Sequence, residues 1–293
     1  MKIIECVPNF SEGRDKDKIT GITEAVSGVS GIDILDFSMD EDHNRSVLTF
    51  IGTPKDVERG AIAACERALE LIDMRGHCGV HPRIGAVDVV PFVPVKDIDM
   101  REVVAIAHSF GRSFGERNDI PVYFYGEAAL EPGRKELSDI RRGGYERLSE
   151  KINDSLWAPD AGPAIHNPRG GAVAVGARNP LIAFNINLDT DDISVAGNIA
   201  KSIRHSSGGL KHVKAIGVSL KSRRIVQVSM NLTNYKETSV RKVFDTVAEL
   251  AGKYGADILE SELIGIIPEA ALEGVTAGYL KSAGFSSDKI LRN

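Results

Sequence analysis

Apolar residues in this chain recur with two periods, two for strands and 3.6 for helices, and the alternation between them runs through the sequence twice. Residues 2–7 (KIIECV) read as a short strand. Ile19, Ile22 and Val26 then recur at helical spacing within 15–28, where Ser27 and Gly28 end the pattern. GIDILDFS (31–38) and SVLTFIG (46–52) predict two strands on either side of the polar turn 40–45. Thr53 followed by Pro54 predicts a helix start, and the helical pattern continues to residue 74. GAVDVVPFVPV (85–95) reads as a buried strand, which Pro91 and Pro94 restrict to an edge or an end. A further helix is expected over 97–117 with Asp99 as its N-cap, and PVYFYGEAA (121–129) adds a short strand. Residues 131–179 lose periodicity and gain glycine, proline and charge, the composition of a functional or connecting segment.

The pattern then restarts. LIAFNINL (181–188) is a strand, and DTDDISVAGNIAKSIRHS (189–206) is a helix with acids in its first turn. KHVKAIGVSL and RIVQVSMNL are strands around the basic turn KSRR. A helix over 237–255, a strand over 256–266 and a closing helix over 269–284 complete the half. Both halves therefore read β-α-β-β-α-β. The expected fold is α+β, an α/β sandwich. It has two similar βαββαβ-type subdomains whose helices pack on mainly antiparallel sheets, with a ligand cleft between them.

Composition narrows the class. The 293 residues are 42% hydrophobic and 26% charged, as in an ordinary globular protein. No stretch approaches the length of a membrane span, and the apolar N-terminus is too short for a secretory leader. Cys6, Cys65 and Cys78 are odd in number and lack metal or redox spacing, so a cytoplasmic setting is expected. A formal net charge of −5, mixed in sign along the chain, argues against nucleic acid as a partner.

HCGVHPRIGAVD (77–88) carries the densest chemistry. His77 and His81 have the spacing of a zinc pair on one helix face, but Gly79 lies between them and Pro82 pushes His81 out of the helical region. His81 is then a proton-transfer candidate or a structural histidine. Arg83 is an anion clamp or a surface charge. Asp88, inside an apolar strand, needs a partner and would orient a histidine or pair with an arginine. DHNR (42–45) and VPNFSEGR (7–14) offer Asp42, Arg45 and Asn9 to a ligand, or are merely hydrophilic turns. Asn185 and Asn187 share one strand face, and Glu262 sits in an apolar strand. Each is expensive in a core unless satisfied, and the alternative for Asn185 and Asn187 is a face that lines a cleft and binds a substrate or co-substrate. No phosphate-binding glycine loop and no serine-esterase motif is present.

Taken together, ECVPNFSEGR, DHNRSVLTFIG, RGHCGVHPRIGAVDVVPFVPV, PVYFYGEAA, WAPDAGP, GARNPLIAFNINL, IVQVSMNLTNY and SELIGIIPEAAL resemble the glutamate formiminotransferase family, in order and from residue 3 to about 274. The resemblance implies a homodimer of chains with subdomains 1–178 and 179–293. It implies a transferase that moves the formimino group of N-formimino-L-glutamate to N5 of tetrahydrofolate, a co-substrate, without a metal. It assigns His81 as the catalytic histidine, although animal members carry an acid where this chain has Val80. It also assigns Gly162, Pro163, Ala164, Ile165, His166, Asn167, Pro168, Arg169, Gly170 and Gly171 as a folate-contacting segment. Arg45, Arg83 and Arg178 are candidates for substrate carboxylates, because a guanidinium matches a carboxylate bidentately. Asp42, Asp88 and Glu262 are candidate orienting carboxylates. The form expected is the monofunctional one, without a cyclodeaminase domain. A formylglutamate-using formyltransferase, a folate or pterin binder without activity, and a metal-dependent hydrolase using His77 and His81 are the alternatives.

Overall fold

The computed structural model describes residues 1–282 and 290–291. The chain divides into two compact units, Met1–Arg178 and Asn179–Asn293.

The first unit contains strands β1 (Ile3–Cys6), β2 (Asn9–Phe10), β3 (Ile32–Asp40), β4 (Arg45–Gly52), β5 (Val87–Lys96), β6 (Val122–Gly126) and β7 (Val173–Ala177). Its helices are α1 (Lys16–Ser27), α2 (Pro54–Leu71), α3 (Met100–Asn118) and the single turns α4 (Leu137–Ile140) and α5 (Leu148–Lys151). Strands β1 and β2 are two halves of one interrupted strand between β4 and β5, for Cys6 pairs with Phe50 and Phe92 while Asn9 pairs with Val47 and Val89. The sheet is antiparallel from β3 through β4 to β5, and parallel from β5 through β7 to β6.

The helix starts follow the sequence signals. The side chains of Asp15, Thr53 and Asp99 each accept backbone N–H groups of the first turn, and Asp99 with Glu102 forms a reciprocal capping box. Ile19, Ile22 and Val26 of α1 join residues of α2 and α3 and the inward side chains of every strand but β3 in one buried cluster, with Ile32 and Ile34 of β3 packed against it. That cluster covers one sheet face, and each fully buried large side chain in it contributes about 1.5–3 kcal/mol.

Two expectations change in this unit. Strand β5 is central, between β1/β2 and β7, and not at an edge. Its Pro91 is tolerated because it faces the gap between β1 and β2, where its carbonyl accepts the amide of Val7 and no ladder donor is asked of it. The irregular segment contains strand β7, too short and too rich in alanine and glycine to announce itself. The rest of that segment lies on the second face of the sheet, where Ile140 and Leu148 pack with Tyr123 and Tyr125. Arg134 anchors it through Asp160 at 2.6 Å and the carbonyls of Leu156 and Ala158.

The second unit contains β8 (Ile182–Leu188), α6 (Ile193–Ile203), β9 (Val213–Leu220), β10 (Ile225–Leu232), α7 (Val240–Lys253), β11 (Ile258–Ile264), β12 (Ile267–Pro268) and β13 (Ile290–Leu291). Its antiparallel sheet runs β11-β8-β10-β9. Counted along the βαββαβ unit, that is 4-1-3-2, the order of the first unit's β5, β1/β2, β4 and β3. The expected α+β class, with helices on mainly antiparallel sheets, is the class observed. Asp192 is the N-cap of α6, so the acids precede its first turn. The closing helix is reduced to a 3-10 turn at Glu269–Leu272, because Gly274 takes φ +75° and turns the chain; residues 283–284 of that expectation lie outside the described residues. No helix among the described residues is long and apolar enough to cross a membrane.

Candidate active site

Three polar segments of the first unit meet around Asn44. This residue sits at φ 47°, a left-handed conformation that asparagine tolerates. Its side chain accepts from the amide of Gly13 at 2.9 Å and donates to the carbonyl of Cys78 at 2.9 Å, and its own carbonyl accepts from His77 Nε2 at 3.1 Å. The amide of Val80 reaches the carbonyl of Asp42. Gly79 permits this closeness, since a Cβ there would lie 2.4 Å from the carbonyl oxygen of His43. The segments VPNFSEGR, DHNR and HCGVHPR are thus one structure.

His77 is held on both sides. Its Nε2–H donates to Asn44, and its Nδ1 accepts from Arg83 Nε at 3.1 Å. Burial, followed by the nearby Arg83, moves it toward the neutral form. Arg83 is buried and spends its remaining donors on Glu146, at 2.6 and 3.0 Å, and on the carbonyl of His77. Among the described residues no three His, Cys, Asp or Glu side chains converge as a metal site.

His81 is half-buried and oriented differently. Its Nδ1 lies 2.8 Å from the carbonyl of Pro82. A carbonyl only accepts, so Nδ1 carries the proton and Nε2 is left with a lone pair and, among the described residues, no hydrogen bond. Burial lowers the pKa well below the usual 6.5, and the guanidiniums of Arg45 and Arg141 lower it further, against the opposing pull of Asp88 and the Pro82 carbonyl. The imidazole is therefore a neutral base at pH 7. The ring of His43 lies 6.0 Å away, centroid to centroid, with its Nδ1 2.8 Å from Asp40.

Beneath His81 lies a charged group on the sheet face away from α1–α3. Asp88 is fully buried at a register slip between β2 and β5. It accepts from Arg45 Nη1 at 2.6 Å, from the amide of Ile84 at 3.0 Å, and from Nη2 and Nε of Arg141. Burial pushes its carboxyl up, but Arg141 and Arg45 outweigh burial and hold it at about 2. Arg45 falls to about 10, chiefly through burial, and completes its fan of bonds on Asn9 Oδ1 at 2.8 and 3.0 Å. Arg178 hydrogen-bonds the hydroxyl of Tyr125, and its charge also acts on the buried Glu5.

The segment 162–171 is fixed to the same unit. Gly85 bridges Gly171, and the amide of Ala86 reaches the carbonyl of Gly170. Asn167 Oδ1 accepts the amides of Arg169 and Gly170. Arg169 donates to the carbonyls of Leu69 and Glu70 at the end of α2, which is C-capping. Gly162 and Pro163 are half-buried, and Ala164, Ile165 and Pro168 are exposed. His166 lies 5.7 Å from the Tyr145 ring, centroid to centroid, with its Nδ1 buried and, among the described residues, without a hydrogen bond.

Asn185, Asn187 and Glu262 belong to the second unit. Asn187, fully buried, donates to Glu260 and Glu262, both at 3.0 Å, and accepts from Gln227 at 2.9 Å. Asn185 is half-buried and pairs with Ser229 and Glu262 across the sheet. Sequence reasoning missed Arg141 and Tyr125. The sequence signal for Arg141 is the pair RR before GG at 141–144, which does not distinguish it from its exposed neighbour Arg142.

The chain has close relatives. The model of the formiminotransferase domain, N-terminal subdomain, matches residues 3–178, and that of the formiminotransferase domain matches residues 183–288. A glutamate formimidoyltransferase of Thermoplasma acidophilum is 44% identical over 293 residues, covering 99% of this chain and 96% of the relative. One from Streptococcus pyogenes is 44% identical and covers 100% of this chain and 98% of its own. The formimidoyltransferase-cyclodeaminase of Gallus gallus is 43% identical over 96% of this chain, which corresponds to 53% of that larger protein.

Proposed function

The chain belongs to the formiminotransferase family, and from that membership we propose that it transfers the formimino group of N-formimino-L-glutamate to N5 of tetrahydrofolate, with His81 as general base. Tetrahydrofolate, as co-substrate, supplies a secondary amine as nucleophile. The exchange moves one proton from that amine to the glutamate nitrogen, and L-glutamate leaves as the amine. A single base that takes the proton and returns it satisfies this balance.

The observation that carries the reading is the state of His81. Its Nδ1–H is tied to the Pro82 carbonyl, so the free lone pair is on Nε2. Its surroundings keep it unprotonated at neutral pH. A base already protonated by solvent could not accept the substrate's proton. Asp88 supports the site through Arg45 and Arg141 and does not bond the ring, so its role is to hold charges rather than to relay protons. The segment 162–171 is proposed to contact folate, and a homodimer in the cytoplasm completes the family reading.

Glutamate release from formiminoglutamate, in the presence and absence of tetrahydrofolate, tests the reaction. His81→Ala should lower turnover by about 100-fold or more with binding retained. Turnover at the unaltered rate would remove His81 from the mechanism.

A further inference from the structure

We propose that Arg45, Asp88 and Arg141 form a carboxylate-binding site beside His81, with Arg141 as the residue that receives the ligand, and that its ligand class is a glutamyl carboxylate, specifically that of the formimino donor. This rests on the transferase reading above and assigns one of its substrate contacts.

The first support is a charge count. One carboxylate, fully buried, faces two guanidiniums whose side chains are only 10% and 13% exposed. The group carries one positive charge in excess. Buried charges are normally compensated, and a second anion completes the pairing.

The second support is the inventory of donors. Arg45 engages all three of its nitrogens, on Asp88 and Asn9. Among the described residues Arg141 engages only Nε and Nη2, both on Asp88. A guanidinium has five N–H groups, so the Nη1 side of Arg141 remains for a ligand. Arg83, which the sequence offers for this task where it does not offer Arg141, has its fork closed on Glu146.

The third support is how firmly Arg141 is held. It caps α4, and Lys151 Nζ donates to the carbonyls of Asp139 at 2.9 Å and Ile140 at 2.6 Å and also reaches that of Arg142. The Trp157 ring centroid lies 3.6 Å from the same ammonium. Arg142, one residue on, is 79% exposed and, among the described residues, its side chain pairs only with Asp139. A side chain meant for solvent needs no such clamp.

The donor's α-carboxylate sits two bonds from the nitrogen that must leave, so a site next to His81 suits the donor better than the distant folate tail. A consequence follows for the base. The charged groups facing His81 are Arg45, Arg141 and Asp88, with the Pro82 carbonyl and the His43 ring beside them. A bound carboxylate cancels the excess charge, and His81 becomes more basic when donor is present.

The test is binding of L-glutamate to the whole protein by calorimetry, without turnover. Arg141→Met should weaken binding by about 10- to 100-fold, and Arg141→Lys less, since a lysine keeps charge without the fork. Equal affinity in folded wild type and Arg141→Met overturns the assignment. Should Arg141→Met not fold, wild type alone decides: NMR titration of His81 should move to higher pH when glutamate is bound, and an unmoved titration overturns the proposal. A second arm compares tetrahydrofolate with tetrahydropteroate, which lacks the glutamyl tail. If Arg141→Met raises KM for the former alone and leaves the donor's KM unchanged, the carboxylate is the folate's and the donor assignment fails. None of these binding readouts depends on His81 acting as the base, so the two readings fail separately.

Discussion

The two sheets place polar side chains at the same three strands and use them differently. In the first unit the row is Asn9, Arg45 and Asp88, on the first, third and fourth strands of the βαββαβ pattern. In the second it is Asn187, Gln227 and Glu260 or Glu262, on the corresponding strands β8, β10 and β11. The second row is built on amides. Asn187 donates to the acids and accepts from Gln227, while Glu260 is compensated by Arg223 at 2.6 Å. The first row is ionic, receives an extra guanidinium from outside the repeat, and has a histidine with an uncommitted lone pair beside it. One topology thus supports either an amide-centred network with acids at its margin or a buried ionic centre. What separates them is the insertion between β6 and β7, which has no counterpart among the described residues of the second unit.

Removing the hub of each row should break the two units unequally. Asp88→Asn leaves two mostly buried guanidiniums around a neutral amide, and urea unfolding should show a loss of about 3–5 kcal/mol. Asn187→Ala strands one donor of Gln227 and loosens two partly solvated acids. The expected loss is smaller, about 1–3 kcal/mol by the same measurement. Equal losses would mean that the rows are energetically alike and that the excess charge of the first row carries no cost.

Local signals were enough for most elements, because caps and apolar spacing act within one element. Thr53, Pro54, Asp99 and the stripe Ile19, Ile22, Val26 behave as written in the sequence. The exceptions are set at long range. Pro91 is central because a different strand breaks opposite it, and β7 is a strand because β5 and β6 accept it on both sides. The site divides in the same way. His81 stands out from its neighbours, since Pro82 forbids a helical pair with His77. That Arg83 is spent on Glu146, 63 residues away, while Arg141 reaches Asp88, 53 residues away, is information that only packing supplies. The polar turn DHNR offered Arg45, which is at the centre, and no sequence signal singled out Arg141.

The smallest expected effect is in pH, and it separates the units by window, since stability falls with falling pH in both. In the first unit His81, His77 and His166 are held below the usual 6.5, chiefly by burial. Folding therefore favours their neutral forms. Their contribution is complete above pH 6.5 and declines as pH falls from 6.5 toward the folded values. Asp88, at about 2 against 3.8 when unfolded, contributes above pH 3.8 and loses that contribution as pH falls through about 2. In the second unit Glu260 is lowered from 4.5 by Arg223 and Asn187, so its contribution starts to fall only below that pH. The one tryptophan of the chain, Trp157, lies in the first unit and reports it by fluorescence. Urea midpoints read from Trp157 should drop between pH 7 and pH 5.5, less so in His81→Gln, which has no proton to take up. On the role proposed for His81, kcat/KM should likewise begin to fall only below pH 6.5, since the neutral ring would be the active form. An unchanged midpoint across that interval would mean that His81 is protonated as easily folded as unfolded, and the comparison between an ionic, base-bearing row and a quiet amide row would lose its chemical half.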